Sequence, residues 1–192
     1  MLYSLVTYLD IFIMKKIFLY IFFLSLVLTK SPFSFNQNNS WNKNNDFNYD
    51  SLYFESVILI EKDEVSKSIK ILLDITNSSK DKALILNSYY DLAQIYLSRS
   101  SDYNKSIEYF QVIINNSFSY KLKPGSKLRS FSDLKEKSLF MVGYIYHNHI
   151  GNLTQAQKYY DLFLNKYPSS ELVSSVSYEL DIINDSINRF NK

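Results

Sequence analysis

Residues 139–168 read LFMVGYIYHNHIGNLTQAQKYYDLFLNKYP, and they show the helical pattern of this chain most clearly. Apolar residues recur every three or four positions on either side of a polar break around Gly151, which predicts two amphipathic helices joined by a short turn. Each apolar face contains one small residue, Gly143 in the first helix and Ala156 in the second. Because helices approach closely where side chains are small, we expect these two residues to lie opposite each other at the helix crossing.

The same pattern occurs earlier in the chain, with Ala93 in the first helix and Ser106 in the second. In both copies the two small residues are 13 positions apart, and a weaker copy around Ser68 precedes them. A single hairpin leaves one apolar face in water, so repeated hairpins predict a stack. Large residues one turn away are predicted to fill the space around each crossing: Tyr96, Phe110, Tyr146 and Tyr160.

The composition agrees with helices and argues against most other folds. The chain has 192 residues with only 3 Gly and 3 Pro, whereas sandwiches, barrels and glycine-looped nucleotide folds need many turn residues. No cysteine is present, which excludes disulfides, thiolate metal sites and a lipid-modified cysteine in this sequence. We predict an all-α fold of antiparallel hairpins with helices at 50–61, 63–76, 81–98, 103–115, 133–148 and 153–166, and a C-terminal capping helix at 170–189.

The N-terminal region has the pattern of an export signal. An uncharged apolar run of 13 residues at 17–29 follows Lys15 and Lys16, and it is short for a membrane span. Met14 directly precedes the two lysines, so we expect translation to begin there. We predict a gene-model extension at 1–13, a signal peptide or anchor at 14–35, an Asn-rich linker at 36–48 and a repeat domain at 49–192.

The hairpin pattern resembles the tetratricopeptide repeat, a helix–turn–helix unit that stacks into a solenoid. Residues 139–180 carry the strongest resemblance, which extends to repeat proteins of the bacterial periplasm: the Tol–Pal-associated protein and the outer-membrane assembly lipoprotein. The chain departs from the family in its spacing, because Ser68, Ser106 and Ala156 are 38 and 50 residues apart rather than 34. Each of the two clear copies also has one extra residue in its turn.

The resemblance implies a groove that is lined by the first helix of each hairpin and binds a protein partner. By position, the lining residues would be aromatic, aliphatic and polar side chains suited to an extended peptide or a helix. The alternative is that the aromatic members pack against the neighbouring hairpin as core. The predicted groove residues are Tyr90, Gln94, Leu97, Phe140, Tyr144 and His147.

The segment from Tyr120 to Arg129 contains four basic residues and no acidic one. It lies in the insertion that lengthens one repeat spacing to 50 residues, and it is predicted either to contact an anionic lipid or acidic partner or to be a solvated loop. Its basic residues are Lys121, Lys123, Lys127 and Arg129.

No catalytic, metal or cofactor site is predicted. His147 and His149 are two positions apart and diverge on a helix, and the formal net charge of +2 is too small to indicate nucleic-acid binding. We therefore expect an exported, non-enzymatic scaffold for protein partners in the periplasm or cell envelope, with cleavage of the signal. The alternatives are an accessory or degenerate domain of a cell-wall enzyme, and a protein tethered to the membrane through residues 15–29 as an anchored oligomer.

Overall fold

The computed structural model describes residues 48–190, with side chains through residue 189, and these residues belong to one compact unit. This part of the chain contains no strand. It forms seven α-helices and one π-helical turn: α1 (Tyr49–Glu61), α2 (Val65–Ser78), α3 (Lys82–Ser98), α4 (Tyr103–Asn115), α5 (Phe131–Ile145) with the π-helical turn Tyr146–Ile150, α6 (Leu153–Lys166) and α7 (Val173–Phe190).

The helices pack as three antiparallel hairpins, α1–α2, α3–α4 and α5–α6, followed by α7 against α6. The second helix of each hairpin contacts the first helix of the next, and the first helices α1, α3 and α5 also contact one another in order. The prediction of stacked helical hairpins with a C-terminal helix is thus confirmed. The predicted segments before residue 48 lie outside the described residues.

Polar side chains begin five of the helices where the sequence places them. Each side-chain oxygen accepts a hydrogen bond from a backbone N–H of the first turn, which would otherwise lack an intrahelical partner. Asp102 and Asn152, both expected as caps, bind the N–H of Lys105 and Gln155 at 3.0 Å. The other capping residues are Asn48, Asp81 and Ser130.

The turns inside the second and third hairpins are built alike. The Asp102 N–H donates to the Tyr96 carbonyl, and the Asn152 N–H donates to the Tyr146 carbonyl, both at 2.9 Å and both across six positions. In the first hairpin the corresponding bond, from Glu64, spans only five positions. The extra residue expected in the two later copies therefore lies in the turn.

The first hairpin accordingly has a shorter spacing between its small residues. Ser56 and Ser68 are both fully buried and 12 positions apart, against 13 in the later copies. In the third hairpin the extra residue is taken up by the π-helical turn, so α5 ends at Ile145 rather than at the predicted residue 148. The last helix begins at Val173 rather than 170, because residues 171 and 172 form a turn.

The crossings are closely packed in the two later hairpins. The Ser106 hydroxyl donates to the Ala93 carbonyl at 2.8 Å, so these small residues meet as predicted. In the third hairpin a Cβ built on Gly143 would lie 2.7 Å from a ring carbon of Tyr160, so the ring of Tyr160 fills the space that this glycine leaves. The approach of Gly143 to Ala156 stays a prediction. The packing residues Ala93, Ser106, Phe110, Ala156 and Tyr160 are fully buried, and the half-buried Tyr96 and Tyr146 stack on Tyr109 and Tyr159.

A left-handed residue in each of these turns leads to the first testable prediction. Ser101 has φ 51° and occupies the position that Gly151, with φ 74°, occupies one repeat later. The left-handed conformation costs a residue with a Cβ about 1 kcal/mol. We expect Ser101→Gly to raise the free energy of unfolding by about that amount, as measured by urea denaturation. The matched variant Gly151→Ser should lower it, and a decrease for Ser101→Gly would contradict the prediction.

None of the helices within residues 48–190 is long and apolar enough to cross a membrane.

Candidate functional site

Three of the six predicted groove residues lie in the core. The exposed fractions of Tyr90, Leu97 and Phe140 are 2%, 6% and 7%. The Tyr90 ring packs edge-on against Phe110, with the ring centroids 5.5 Å apart, and Phe140 packs against the rings of the third hairpin. Placing these three residues on an open groove was therefore wrong, because neighbouring helices and the insertion cover them. The core alternative holds for them.

The other three predicted groove residues are half-buried. The Gln94 amide donates to the Tyr90 hydroxyl at 3.2 Å, and Tyr144 stacks on Phe140 with 6.3 Å between ring centroids. Partner binding by Gln94, Tyr144 and His147 stays a prediction. Their positions next to the buried members show that only part of the predicted surface is open.

His147 links the π-helical turn to the last helix. Its Nδ1 lies 2.5 Å from Oε2 of Glu179 on α7, and only 9% and 17% of these two side chains is exposed. Asn148 Nδ2 lies 3.5 Å from the same oxygen. This contact attaches α7 to the π-helical turn, and it leaves little of the His147 side chain accessible for binding a partner.

His149 has a different set of neighbours from His147. Its ring stacks on Tyr103 at 4.5 Å between centroids and meets the edge of Tyr144 at 5.6 Å. Burial lowers the pKa of His149, which favours the neutral ring at pH 7. Within residues 48–190 no group of three or more metal-ligating side chains comes together.

Tyr103, Tyr144 and His149 together form a partly exposed aromatic cluster that joins the second and third hairpins. Burial, and to a smaller extent the Glu179 carboxylate, raises the pKa of Tyr144 to about 12. Its hydroxyl therefore stays protonated and can donate a hydrogen bond at neutral pH. The aromatic cluster is the candidate partner-binding surface. The sequence analysis included Tyr144 but missed Tyr103, since the stacking depends on a contact between residues 46 positions apart.

The basic insertion divides into exposed and half-buried parts. Residues 116–130 form no helix or strand, and Lys121, Lys123 and Lys127 are exposed. Their role in binding an anionic partner stays a prediction. Arg129 was predicted to belong to the same surface, and here the prediction was wrong: its side chain packs against α3.

Arg129 forms an ion pair with a buried acid. Its Nη1 donates to Asp91 Oδ1 at 3.0 Å, and its guanidinium lies over the ring of Tyr90, 4.6 Å from the centroid. The Tyr53 hydroxyl of α1 donates to the other carboxylate oxygen of Asp91 at 2.6 Å. The exposed fraction is 32% for the Arg129 side chain and 10% for that of Asp91. Asp91 thus connects the insertion, α3 and α1.

The backbone of Arg129 is held as well. Asn87, one turn before Asp91 on α3, accepts a hydrogen bond from the Arg129 N–H at 2.9 Å and donates to its carbonyl at 3.3 Å. The Tyr120 hydroxyl donates to the same carbonyl at 2.6 Å. We call Tyr53, Asn87, Tyr90 and Asp91 the arginine site.

The groups of the arginine site shift one another's pKa values. Burial is the largest influence on the pKa of Arg129 and lowers it, but the Asp91 carboxylate together with Tyr53 and Tyr90 raises this pKa above its ordinary value. Burial, followed by the negative charge of Asp91, also raises the pKa of Tyr53 well above its ordinary value. At neutral pH the arginine is therefore charged and the tyrosine is a neutral donor.

Sequence reasoning missed Asp91, although a signal for it exists. Aligning the hairpins on Ser56, Ala93 and Gly143 places Asp91 where the other two copies have Phe54 and Met141. A carboxylate at a position that is otherwise apolar indicates a buried charge with a partner, because an unpaired charge in the core is strongly destabilising.

The comparison with protein families supports the repeat assignment. Residues 137–170 match the family model of the tetratricopeptide repeat. They run from within α5 through the π-helical turn and α6 to the turn before α7. This match supports a tetratricopeptide-repeat protein, while no comparison supports the finer resemblance to the periplasmic repeat proteins. Neither the curated proteins nor the solved structures gave a significant match.

Proposed function

We propose that this protein is an exported, non-enzymatic scaffold that binds protein partners of the cell envelope. The observation that carries the proposal is the repeat match at residues 137–170, since tetratricopeptide repeats generally mediate protein–protein interactions. The signal-like residues 14–35 favour an envelope location. Retention of residues 15–29 as a membrane tether is the alternative to cleavage.

The aromatic cluster supports a protein as the partner. Tyrosine and histidine rings provide apolar contact area together with polar atoms, and such rings are enriched at protein interfaces. The cluster lies between two hairpins and includes Tyr144 of the predicted groove. An extended segment or a helix could contact both repeats there at once.

The rival function, an accessory or degenerate domain of a cell-wall enzyme, would require an acid suited to proton transfer. Such an acid is usually kept protonated by an apolar cleft. The environment of Asp91 is different, because this carboxylate faces an arginine and accepts a tyrosine hydrogen bond. That environment favours a structural or binding role for the acid over a catalytic one.

In-cell cross-linking tests the scaffold function. A photo-reactive residue at Gln94 should capture a defined envelope protein, and adding Tyr144→Ala should reduce that capture at least about tenfold, because interface aromatics carry much of the binding energy. Tyr178→Ala is the matched control, since Tyr178 is the tyrosine with 55% exposure on α7. Its capture should be unchanged, and circular dichroism should show that both variants are folded under the cross-linking conditions.

Cell fractionation with the same strains tests export. Recovery of the protein from the cytoplasm, or equal capture by the Tyr144→Ala and parent proteins, would contradict the proposal. Hydrolysis of cell-wall glycan by the purified chain would favour the enzymatic rival.

A further inference from the structure

The insertion turns at Pro124 and Gly125 and lies against α3. It has no regular secondary structure over residues 116–130, and Arg129 is the residue that α3 holds at the most points. Phe118 and Tyr120 also contact α3, through Lys82 and Asn87. Asn87 binds the backbone N–H and carbonyl of Arg129, Asp91 binds its guanidinium, and the Tyr90 ring lies beneath that group. A complete arginine residue, main chain and side chain, is thus recognised.

The side chains that make these contacts are also held by hydrogen bonds that do not involve Arg129. Asn87 and Asp91 are four positions apart on one helix, so they lie on the same face, and the Asn87 amide also donates to the Ala83 carbonyl at 2.9 Å. Tyr53 orients the Asp91 carboxylate from the neighbouring hairpin. Two bonds to a peptide backbone are independent of sequence, whereas a carboxylate beside an aromatic ring selects a guanidinium.

We propose that Tyr53, Asn87, Tyr90 and Asp91 form a binding site for an arginine residue of an extended partner peptide, and that Arg129 occupies this site within the same chain. The inference rests on the proposed function, because it names the chemistry that one part of the scaffold would recognise. The insertion acts as a competitive strap. A partner segment carrying arginine takes the place of Arg129 and releases residues 116–130 from α3.

Because the insertion belongs to the same chain, the state in which Arg129 occupies the arginine site is favoured over the state in which the site is open. A segment tethered at both ends is present at an effective concentration of the order of millimolar. A partner must therefore supply further contacts, and the aromatic cluster between the second and third hairpins offers a surface for them. Removing the Arg129 side chain should open the site to a peptide added in solution.

The test uses the full chain and a synthetic peptide with the sequence of residues 117–131. In fluorescence anisotropy, the Arg129→Ala protein should bind this peptide at least about tenfold more tightly than the parent protein does, because the tethered guanidinium no longer competes for Asp91 and Tyr90. The matched peptide with alanine in place of Arg129 should not bind. Adding Asp91→Asn to the Arg129→Ala protein should abolish binding of the arginine peptide. Equal binding of the two peptides, or no binding to the opened protein, would overturn the proposal.

A second measurement tests the proposal even if Arg129→Ala destabilises the protein. Methylguanidinium is a fragment of the missing side chain, and it should raise the melting temperature of Arg129→Ala but not that of Asp91→Ala/Arg129→Ala. The absence of this difference would overturn the proposal. So would a parent protein that is dimeric while Arg129→Ala is monomeric, since a second copy would then supply the arginine.

These results are separable from the cross-linking test of the scaffold. If the peptide fails to bind while capture from Gln94 persists, the arginine site is a structural ion pair and the scaffold function stands. If capture fails while the peptide binds, the arginine site stands and the aromatic cluster is not the partner surface.

Discussion

Replacing Asp91 with alanine is expected to lower the free energy of unfolding by about 3 kcal/mol, because removing one member of a buried ion pair leaves the other charge without compensation. The substitution leaves the guanidinium of Arg129 and the hydroxyl of Tyr53 without the acceptor they share. It also loosens the insertion from α3 and the contact of α1 with α3. Urea denaturation followed by circular dichroism measures the change.

The insertion itself offers a matched control. Lys123 is a basic residue of the same insertion, but it is exposed, so Lys123→Ala should change stability by no more than about 0.5 kcal/mol. Arg129→Ala should be costly, and the double variant Asp91→Ala/Arg129→Ala should cost less than the sum of the two single changes. If Asp91→Ala lowers the free energy of unfolding by less than about 1 kcal/mol, the prediction is contradicted. A loss that small is what the removal of an exposed ion pair is expected to cause.

The second large effect is expected at Gly143. In an unobstructed helix, glycine to alanine stabilises by about 1 kcal/mol. Here we expect Gly143→Ala to destabilise by about 2 kcal/mol instead, because the added methyl group overpacks a filled core. The nearest atoms, two ring carbons of Tyr160, would lie 2.7 and 2.8 Å from the new Cβ. The sign of the change in unfolding free energy therefore distinguishes the tight crossing from ordinary helix propensity.

Variants of the facing ring test the cause. Tyr160→Leu should remove the penalty of Gly143→Ala when the two changes are combined, since the clashing ring carbons are gone. Tyr160→Phe keeps the ring and removes a buried hydroxyl that has no hydrogen-bond partner among the described residues, so the penalty should persist. If Gly143→Ala raises stability in the parent protein, the close approach of the two helices does not exist.

Several features of the fold could be predicted from the sequence because their causes are local. Hydrophobic periodicity located all seven helices to within about three residues at each end. Asp102 and Asn152 were identified as caps, since a cap needs only a polar side chain before an apolar repeat. The equivalence of the second and third hairpins, including the extra turn residue, followed from comparing the chain with itself.

The candidate site was predicted less well, because aromatic and basic residues can either bind a partner or pack within the fold. Tyr90 and Phe140 occupy the same repeat position and could line a groove or fill a core, and their neighbours decided for the core. Arg129 belonged to a run of positive charge that was expected to act as a unit. In the structure Arg129 pairs with the carboxylate of Asp91, 38 positions away in the chain, whereas the lysines are exposed. A pattern of neighbouring residues cannot predict a contact over that many positions.

Local sequence patterns are sufficient to predict the helices, the hairpins and the small residues at the helix crossings. These depend on intrinsic backbone preferences and on the 3.6-residue period, which act over a few positions. Only the tertiary structure decided which aromatic residues remain accessible, that Tyr160 fills the space beside Gly143, and that Arg129 pairs with Asp91. The physical reason is that burial and charge pairing depend on which surfaces meet, and these surfaces come from helices and an insertion far apart in the chain.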